Sequence, residues 1–332
     1  MNTTHPSGGL CIPADSSPSA PRVVRAGGVA PFRRWPKRIA YCILLIAVLC
    51  FVLSCRRAEQ SPAGAPPGTQ EIIENTGSDT LVNLALAWAE AYMMQHPEVR
   101  ISVSGGGSGT GIAALINGTT DIANASREIK KEEAELARAN GVPPVEFTVA
   151  RDAIAVVINP SNPVNALTIS EISDMYTGKI TNWSQVGGEN RPIVLLSRES
   201  NSGTYVYFLE TVIRQGQKDS DLLFSADTLL MPSSEGISNE VRQNPNAIGY
   251  DGLGYVTPDQ KVVAIAVSSG AAPVLPSAAT VNDGTYPIAR PLYMYTAGEP
   301  QGTIKAYLDW ILGDGQELVS QLGFVPLKKD AP

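Results

Sequence analysis

The chain has 332 residues, 43% of them hydrophobic and 17% charged, so it can build a buried core and wholesale disorder is excluded. Its formal net charge of −7 argues against a basic nucleic-acid-binding surface. The charge is uneven, because residues 1–38 hold six basic residues and one acidic residue, and the remaining residues carry −12. All four cysteines lie within the first 55 residues, which excludes a disulfide framework or a cysteine-based zinc site in the main body.

An uncharged apolar segment, residues 39–54, follows the basic N-terminal cluster. It is shorter than the ~20 residues that a membrane-spanning helix needs, and its length is typical of a signal-peptide core. It ends in Leu53-Ser54-Cys55, which resembles a bacterial lipobox with Cys55 as the lipid-modified first residue of the mature protein. An uncleaved N-terminal anchor is the alternative, and both place the body of the protein outside the cytoplasm at a membrane. Residues 56–70, rich in Pro, Gly and Ala, predict a flexible linker.

From residue 71 onward, short β-like runs alternate with helical patterns. Strands are predicted at 71–75, 99–104, 147–159, 193–196 and from 248 to 250. Helices are predicted at 81–96, 112–117, 130–140, 171–176, 204–215, 304–312 and 316–322, and residues 268–283 are predicted to form a loop. Alternating strands and helices favour an α/β architecture with largely parallel, twisted sheets.

Four segments place small hydroxyl and glycine residues directly before a predicted helix. They are GSDT at 77–80, GSGTG at 107–111, NASR at 124–127 and RESNSGT at 198–204. A helix N-terminus exposes unpaired N–H groups and a partial positive charge, hydroxyls add donors, and an arginine adds a planar fork for oxyanions. The same residues are ordinary N-caps, so one segment alone indicates no ligand. Four together favour one shared oxyanion site.

The chain offers little for catalysis. The glycine-rich segment lacks the GK[ST] of a Walker A loop and the spacing of a dinucleotide fingerprint. A Ser-His-Asp triad would have to use His96, at the end of an apolar helix, since the other histidine is His5. A phosphohydrolase with a Ser or Thr nucleophile lacks a histidine in place, a metal-ligand spacing and a partnered general base. We therefore interpret the protein as a non-enzyme with no cofactor and no metal.

Beyond these general patterns, the body resembles the bacterial extracytoplasmic phosphate-binding proteins of the PstS type, which feed ABC importers. The similarity is greatest to their shorter, lipoprotein branch and covers about residues 71–328. The motifs that carry it, in the family's order and at its spacing, are GSDTL, SGGGSGTG, DIANASR, ISEISDMYTGKITNWSQVGG, RESNSGTY, AIGY and GFVPL.

The resemblance implies a two-domain periplasmic-binding-protein fold of type II, with mixed, mostly parallel sheets and a two-strand hinge that closes on the ligand. The first crossing strand is expected near 148–154 and the second near 286–295. The implied division is a lipoprotein signal segment at 1–54, a flexible linker at 55–70, α/β domain I at 71–150 plus 290–332, and α/β domain II at 151–289.

The resemblance also implies the ligand positions. These are the hydroxyl of Thr80, the N–H of Leu81, and the side chains or amides of Ser108, Arg198, Ser202, Gly203 and Thr204. Ser126 and Arg127, from the hydroxyl-rich segment at 124–127, complete the predicted phosphate ligands. Long-form members have, where Ser126 stands, an aspartate that accepts the proton of hydrogen phosphate. A second anionic position, beside Arg198, is Ser200 here. Asp79 or Glu199 is a possible proton acceptor in their place, and the alternatives are an N-cap for Asp79 and a surface charge for Glu199.

The function implied is capture of inorganic phosphate in an interdomain cleft and delivery to the permease and ATPase subunits of an ABC importer. The implied protein is a monomer at the cell membrane or in the periplasm, held by the lipid on Cys55, with no nucleic-acid partner. The first alternative is a binding protein for another tetrahedral oxyanion, namely molybdate, tungstate or sulfate. The others are the phosphohydrolase and a surface interaction protein that keeps the fold without transport.

Overall fold

The computed structural model describes residues 70–328, so the predicted signal segment, Cys55 and nearly all of the linker lie outside the described residues. The strands are β1 (Glu71–Gly77), β2 (Val99–Ser104), β3 (Ile122–Ala125), β4 (Pro144–Ile158), β5 (Ala166–Thr168), β6 (Val194–Arg198), β7 (Leu229–Met231), β8 (Ala247–Gly252), β9 (Lys261–Val262), β10 (Ala264–Ala266) and β11 (Ala289–Ala297). The α-helices are α1 (Val82–Gln95), α2 (Ser108–Ile116), α3 (Lys131–Ala139), α4 (Ile169–Tyr176), α5 (Gly203–Phe208), α6 (Ser234–Gln243), α7 (Ala278–Asn282), α8 (Gly302–Leu312) and α9 (Gln316–Gln321). Short 3-10 turns cover Asp79–Leu81, Trp183–Val186 and Leu253–Tyr255, and α5 continues as a π-turn over Leu209–Ile213.

The strands form one large sheet in the order β2-β1-β3-β11-β4-β8-β6-β7, with β9 beside the end of β4. β1 is parallel to β2 and β3, and β6 is parallel to β7 and β8. Between these groups, β11 and β4 run antiparallel to each other and to their outer neighbours. β5 and β10 form a separate parallel pair. This arrangement confirms the predicted α/β architecture with largely parallel sheets.

β4 and β11 connect the two parallel groups. Residues 144–153 of β4 pair with β11, and residues 154–158 pair with β8, so one 15-residue strand runs through both halves of the sheet. The β4–β11 register is interrupted by a bulge between Leu292 and Tyr293. A bulge increases the local twist of a strand pair. These strands cover the two positions where the hinge crossings were predicted.

The buried apolar residues form two main clusters, and the change from one cluster to the other occurs along the same two strands. One cluster, around Trp88, includes Ala150 on β4 and Leu292 on β11. The other, around Trp183, includes Ala153 on β4 and extends to Ile288 before β11. The two changes fall at the predicted domain boundaries and support that division, which stays a prediction. We call residues 71–150 plus 290–328 the first lobe and residues 151–289 the second lobe.

Most predicted elements are confirmed, with ends that differ by a few residues. The predicted loop at 268–283 is wrong in part, because Ser277 caps the short helix α7. Helix α6 was not predicted, since Ile237 and Val241 are its only large apolar residues and provide too weak a period. The short strands β3, β5, β7, β9 and β10 were also missed. No helix within 70–328 is long and apolar enough to cross a membrane.

Candidate functional site

The candidate site lies where four loops follow the C-terminal ends of strands. β1, β2, β3 and β6 end at Gly77, Ser104, Ala125 and Arg198, and each leads into one of the four hydroxyl-rich segments. In open α/β sheets, ligands bind outside the carboxyl ends of the strands, where strand order reverses. The topology therefore brings together segments that are far apart in the chain.

Four buried hydroxyl groups meet at this place. Thr80 and Thr204 are hydrogen-bonded through their Oγ1 atoms at 2.8 Å. Ser108 and Ser126 face each other with their Oγ atoms 3.3 Å apart, and the Ser126 N–H donates to Ser108 Oγ at 3.0 Å. All four residues are at most 1% exposed. We call them the hydroxyl cluster, and all four were predicted as ligand residues.

Gly203 lies against this cluster, at the start of α5. A Cβ atom on Gly203 would be 2.3 Å from Ser108 Oγ and 2.6 Å from Ser126 Oγ, so only glycine permits this approach. Ser202, the N-cap of α5, accepts a hydrogen bond from the Thr204 N–H at 3.2 Å. The first amides of a helix have no acceptor within the helix, so this start supplies donors beside the hydroxyls.

Arg198 is 2% exposed and lies at the end of β6. Its Nη1 atom is 3.1 Å from Asp79 Oδ2 and donates to Ser234 Oγ at 2.9 Å, and its Nη2 atom donates to the Pro232 carbonyl at 3.1 Å. Asp79 also accepts from the Ser234 N–H at 2.8 Å. Ser200 carries no charge, so the anionic partner of Arg198 is instead Asp79, from the other lobe. The Asp79 carboxylate contacts both the guanidinium group and the first N–H of α6.

A second carboxyl group, Asp251, lies beside the same arginine. It is 1% exposed; its Oδ1 accepts from the Gly252 N–H, and its Oδ2 atom has no hydrogen-bond partner. Burial raises the pKa of Asp251 to about 7, and the nearby Asp79 acts in the same direction, whereas Ser234 and Arg198 act to lower it. Asp251 therefore holds a proton in mildly acidic solution. It was not predicted as a site residue.

Two further residues that sequence reasoning missed, Arg290 and Asp152, lie under the hydroxyl cluster. Arg290 Nε and Nη2 contact Asp152 Oδ2 at 3.2 and 2.9 Å. The same guanidinium donates to the Ser126 carbonyl at 2.9 Å and to Thr204 Oγ1 at 3.0 Å. Burial raises the pKa of Asp152, while Arg290 and the Leu253 N–H act to lower it. The available signal was a charged residue directly before an apolar run in each strand, Asp152 before residues 153–158 and Arg290 before residues 291–295, since charged residues in apolar segments are rarely buried unless they are paired.

The glycine-rich loop before α2 is held by the loop before α5. The Gly109 N–H donates to the Asn201 carbonyl at 2.9 Å, and Asn201 Nδ2 donates to the Gly106 carbonyl at 2.7 Å. Gly107 has a φ of 97° and would place a Cβ atom 2.8 Å from the Asn201 carbonyl oxygen. Glycine is required there by its conformation and by this close approach. These contacts join the two lobes beside the hydroxyl cluster.

Two predicted ligand groups, the Arg127 side chain and the Leu81 N–H, are engaged elsewhere, and the candidate proton acceptor Glu199 does not reach the site. Arg127 donates from Nη1 and Nη2 to the two carboxylate oxygens of Glu133, at 2.8 and 2.7 Å, so its fork holds the start of α3. Glu199 is exposed. The N–H of Leu81 donates to the Ser78 carbonyl at 3.0 Å, within the 3-10 turn. The structure does not bring Arg127 or Glu199 into the hydroxyl cluster, and Asp79 reaches Arg198 rather than a hydroxyl.

The described residues do not assemble a metal site or the triad that was considered. Within 70–328, no group of three or more His, Cys, Asp or Glu side chains is placed to hold a metal ion. His96 stacks on Tyr92 with ring centroids 4.2 Å apart. It follows the far end of α1 from Thr80, about 20 Å away at the helical rise of 1.5 Å per residue. The hydroxyl cluster therefore has donors for an anion but no histidine base beside it.

Fold and site together define a class: an α/β solute-binding protein of the type II periplasmic fold, with a cluster of buried hydroxyl groups between its lobes. A family model for the PBP superfamily domain matches residues 62–315. The chain belongs to this superfamily, and within it to the PstS-type phosphate-binding proteins.

Known proteins and solved structures resemble this chain over most of their length. Protein SphX of Synechococcus elongatus is 34% identical over 272 residues, which cover 78% of this chain and 79% of that protein. Phosphate-binding protein PstS of Pseudomonas aeruginosa is 32% identical over 310 residues, covering 85% and 94%. A crystal structure of a phosphate ABC transporter substrate-binding protein from Clostridium perfringens, with bound phosphate, superposes with a TM-score of 0.69 at 32% identity over 78% of this chain and 100% of that one. An ABC-type phosphate transport receptor from Vibrio cholerae gives 0.62 at 29% identity, covering 77% and 100%.

Proposed function

We propose that this protein binds inorganic phosphate at the hydroxyl cluster and delivers it to an ABC importer. The observation that carries the proposal is the convergence of four buried hydroxyls and the first turn of α5 between the lobes, with the buried Arg198 held by Asp79, the neighbour of Thr80. The names of the relatives support phosphate as the ligand and an ABC importer as the partner.

The residues proposed to contact phosphate are the hydroxyl cluster, the amides of the first turn of α5, the side chain of Ser202, and Arg198. The Leu81 N–H would have to leave Ser78 to take part. Arg127 is assigned to the loop before α3 through Glu133, and Glu199 is left as a surface charge. The Asp79 carboxylate is already bound to Arg198 and to the Ser234 N–H, so it is not assigned to the proton of hydrogen phosphate. Ser126 stands where long-form relatives carry the aspartate that accepts this proton.

An acidic protein can bind an anion in this way. Salt screens the field of distant surface charges within about 8–10 Å, whereas hydrogen bonds to a charged partner act at contact and contribute roughly 1.5–3 kcal/mol each. A micromolar dissociation constant requires only about 8 kcal/mol. The local donors therefore outweigh the net charge of −12 that residues 55–332 carry.

The anchoring and oligomeric state belong to the same proposal. The proposed oligomeric state is a monomer. The lipobox-like Leu53-Ser54-Cys55 supports a lipoprotein held outside the cytoplasm, at the cell membrane or in the periplasm, by the lipid on Cys55. Metabolic labelling with a radioactive fatty acid tests this, and Cys55→Ala should abolish the label. Label retained in that variant would contradict the lipid assignment.

Calorimetric titration of the purified protein with phosphate, sulfate and molybdate tests the ligand. We expect phosphate to bind and sulfate to compete weakly. The second candidate is a different tetrahedral oxyanion, favoured by one observation, the hydroxyl of Ser126 in place of a carboxylate. Tighter binding of sulfate or molybdate than of phosphate would establish that candidate instead.

A further inference from the structure

Arg290 and Asp152 face each other on β11 and β4 and lie directly beneath the hydroxyl cluster. Arg290 is 2% exposed and Asp152 is fully buried. A buried ion pair gives little net stability compared with apolar residues of the same size, because both charges lose their water. Its position therefore calls for another explanation than stability.

The hydrogen bonds of Arg290 determine the direction of one hydroxyl group in the cluster. A guanidinium group can only donate, and a threonine hydroxyl has one proton and two lone pairs. Because Arg290 Nη2 donates to Thr204 Oγ1 at 3.0 Å, the Thr204 oxygen is the acceptor in that contact. The single proton of Thr204 must then point to another group, such as Thr80 Oγ1 at 2.8 Å or a bound anion.

Asp152 in turn fixes the guanidinium. Its Oδ2 atom contacts both Nε and Nη2 of Arg290, while its Oδ1 atom accepts from the Leu253 N–H at 3.1 Å. Arg290 Nη1 is held by the Ser126 carbonyl at 2.9 Å. The plane of the guanidinium is thereby determined from both lobes, and it cannot turn away from Thr204 without breaking these contacts.

We propose that Arg290 is a positioning residue that makes Thr204 a committed hydrogen-bond donor to the bound oxyanion, and that Asp152 holds Arg290 for this task. The proposal rests on the proposed function of the hydroxyl cluster. It adds a residue pair that neither the helix-start motifs nor the predicted ligand set contains.

Its competitor is a purely structural role, in which Arg290 only ties β11 to β4 and packs over Tyr207. The guanidinium carbon lies 5.6 Å from the Tyr207 ring centroid, and Arg290 also lines a cleft of about 370 Å³ next to the site. A structural role affects phosphate binding whether or not residue 204 carries a hydroxyl. A positioning role disappears when that hydroxyl is removed.

The experiment is a double-mutant cycle of Arg290→Lys and Thr204→Val, with phosphate affinity measured by calorimetry on the full-length protein. Lysine keeps the charge opposite Asp152 but has no planar fork for the other contacts. We expect each single variant to bind phosphate about 10-fold more weakly, and the double variant to match Thr204→Val within about 2-fold, because neighbours that act as one unit are not additive. Losses that multiply to about 100-fold would overturn the proposal.

Asp152→Asn provides a second cycle if Arg290→Lys does not fold, as judged by its thermal unfolding. Asparagine keeps an oxygen for the Leu253 N–H but removes the charge that holds Arg290. We expect about a 3-fold weaker phosphate affinity with Thr204 present and no further loss in the Thr204→Val background. A loss of equal size in both backgrounds contradicts the proposal.

Arg151→Lys is the matched control. Arg151 is the neighbour of Asp152 on β4, and its side chain contacts Asn282 rather than the cluster, so its phosphate affinity should be unchanged. The two hypotheses fail in different ways. If the proposed function is wrong, the unsubstituted protein does not bind phosphate. If only the positioning role is wrong, the unsubstituted protein binds and the losses multiply.

Discussion

The two buried arginines of the site lie in different settings. Arg198 lies at the end of β6 and meets a carboxylate from the other lobe, Asp79, which is 19% exposed. Arg290 lies within the β4–β11 pair and meets a carboxylate, Asp152, that water does not reach. The first ion pair must separate if the lobes open, whereas the second is part of the connection between them. If the proposed function holds, Arg198 binds the ligand and contributes to closure of the lobes, and Arg290 orients the hydroxyl of Thr204.

Arg198→Ala should have the largest effect of the substitutions at this site. It removes a charged donor from a buried anion site and leaves Asp79 and Asp251 without their cation. We expect phosphate affinity to fall by about 100-fold or more, at about 1.4 kcal/mol per factor of ten. Calorimetric titration measures this.

Arg191→Ala is the matched control for that substitution. Arg191 pairs with Glu189 in an exposed turn of the second lobe, so its loss should leave phosphate affinity unchanged. Unchanged affinity in Arg198→Ala would show that Arg198 does not bind the ligand.

Gly203→Ala should come next. The added methyl group would lie 2.3 Å from Ser108 Oγ, so the cluster must move apart or α5 must shift. We expect about a 30-fold loss of phosphate affinity, because a misplaced donor loses much of a charged hydrogen bond. Equilibrium titration with thermal unfolding as a fold control measures it, and an affinity within 2-fold of the original would mean that the first turn of α5 does not contact the ligand.

Asp79→Asn tests the interlobe ion pair through its anionic partner. The amide keeps the size of the side chain but loses the charge that Arg198 and the Ser234 N–H share. We expect about a 5- to 10-fold weaker affinity, seen as faster phosphate release in stopped-flow measurements, since the interlobe contact favours the closed form. Glu199→Gln, at an exposed position, is the control. Slower association with unchanged release would contradict a role in closure.

Asp251→Asn should have the smallest effect on binding and a clear effect on stability. The native carboxyl group holds its proton up to a pH of about 7, whereas in the unfolded chain its pKa is near 3.8. Its contribution therefore lowers the free energy of unfolding as the pH rises from about 4 to 7, and the total change is roughly 2–4 kcal/mol. Asp251→Asn should lack this decline relative to the original protein, and chemical denaturation at a series of pH values measures the difference. Asp152 is present in both proteins, so its own contribution cancels when their free energies of unfolding are subtracted. If the two plots of unfolding free energy against pH are parallel, Asp251 is ionised throughout and the prediction is wrong.

The site could be predicted in part, because hydroxyl and glycine residues before helices are a local pattern. This pattern predicted the four segments and their convergence, and the family resemblance then indicated Thr80, Ser108 and Thr204 within them, with Ser126 at the position that differs. Asp79 was found but given another role, since its partner Arg198 is more than a hundred residues away in the chain. Nothing local indicates which side chains of two loops face each other.

The remaining residues depend on the register between distant strands. Arg290 and Asp152 face each other only because β11 pairs with β4 in one alignment, and neither strand shows this pairing in its own pattern. Arg127 looked like a ligand because it follows a hydroxyl, yet Glu133, six residues later, takes its fork. Long strands and amphipathic helices were predictable from their periods, whereas α6 and the short strands have too few apolar residues to form one.

The central position of β11 has a consequence for how the chain folds. β11 lies between β3 and β4 in the sheet, so residues 122–125 and 144–153 have no neighbour between them until residues 289–297 have been made. Contacts that are this far apart in sequence form slowly. The second lobe, which is one continuous segment, should fold first, and the first lobe should remain open until nearly the whole chain has been synthesised.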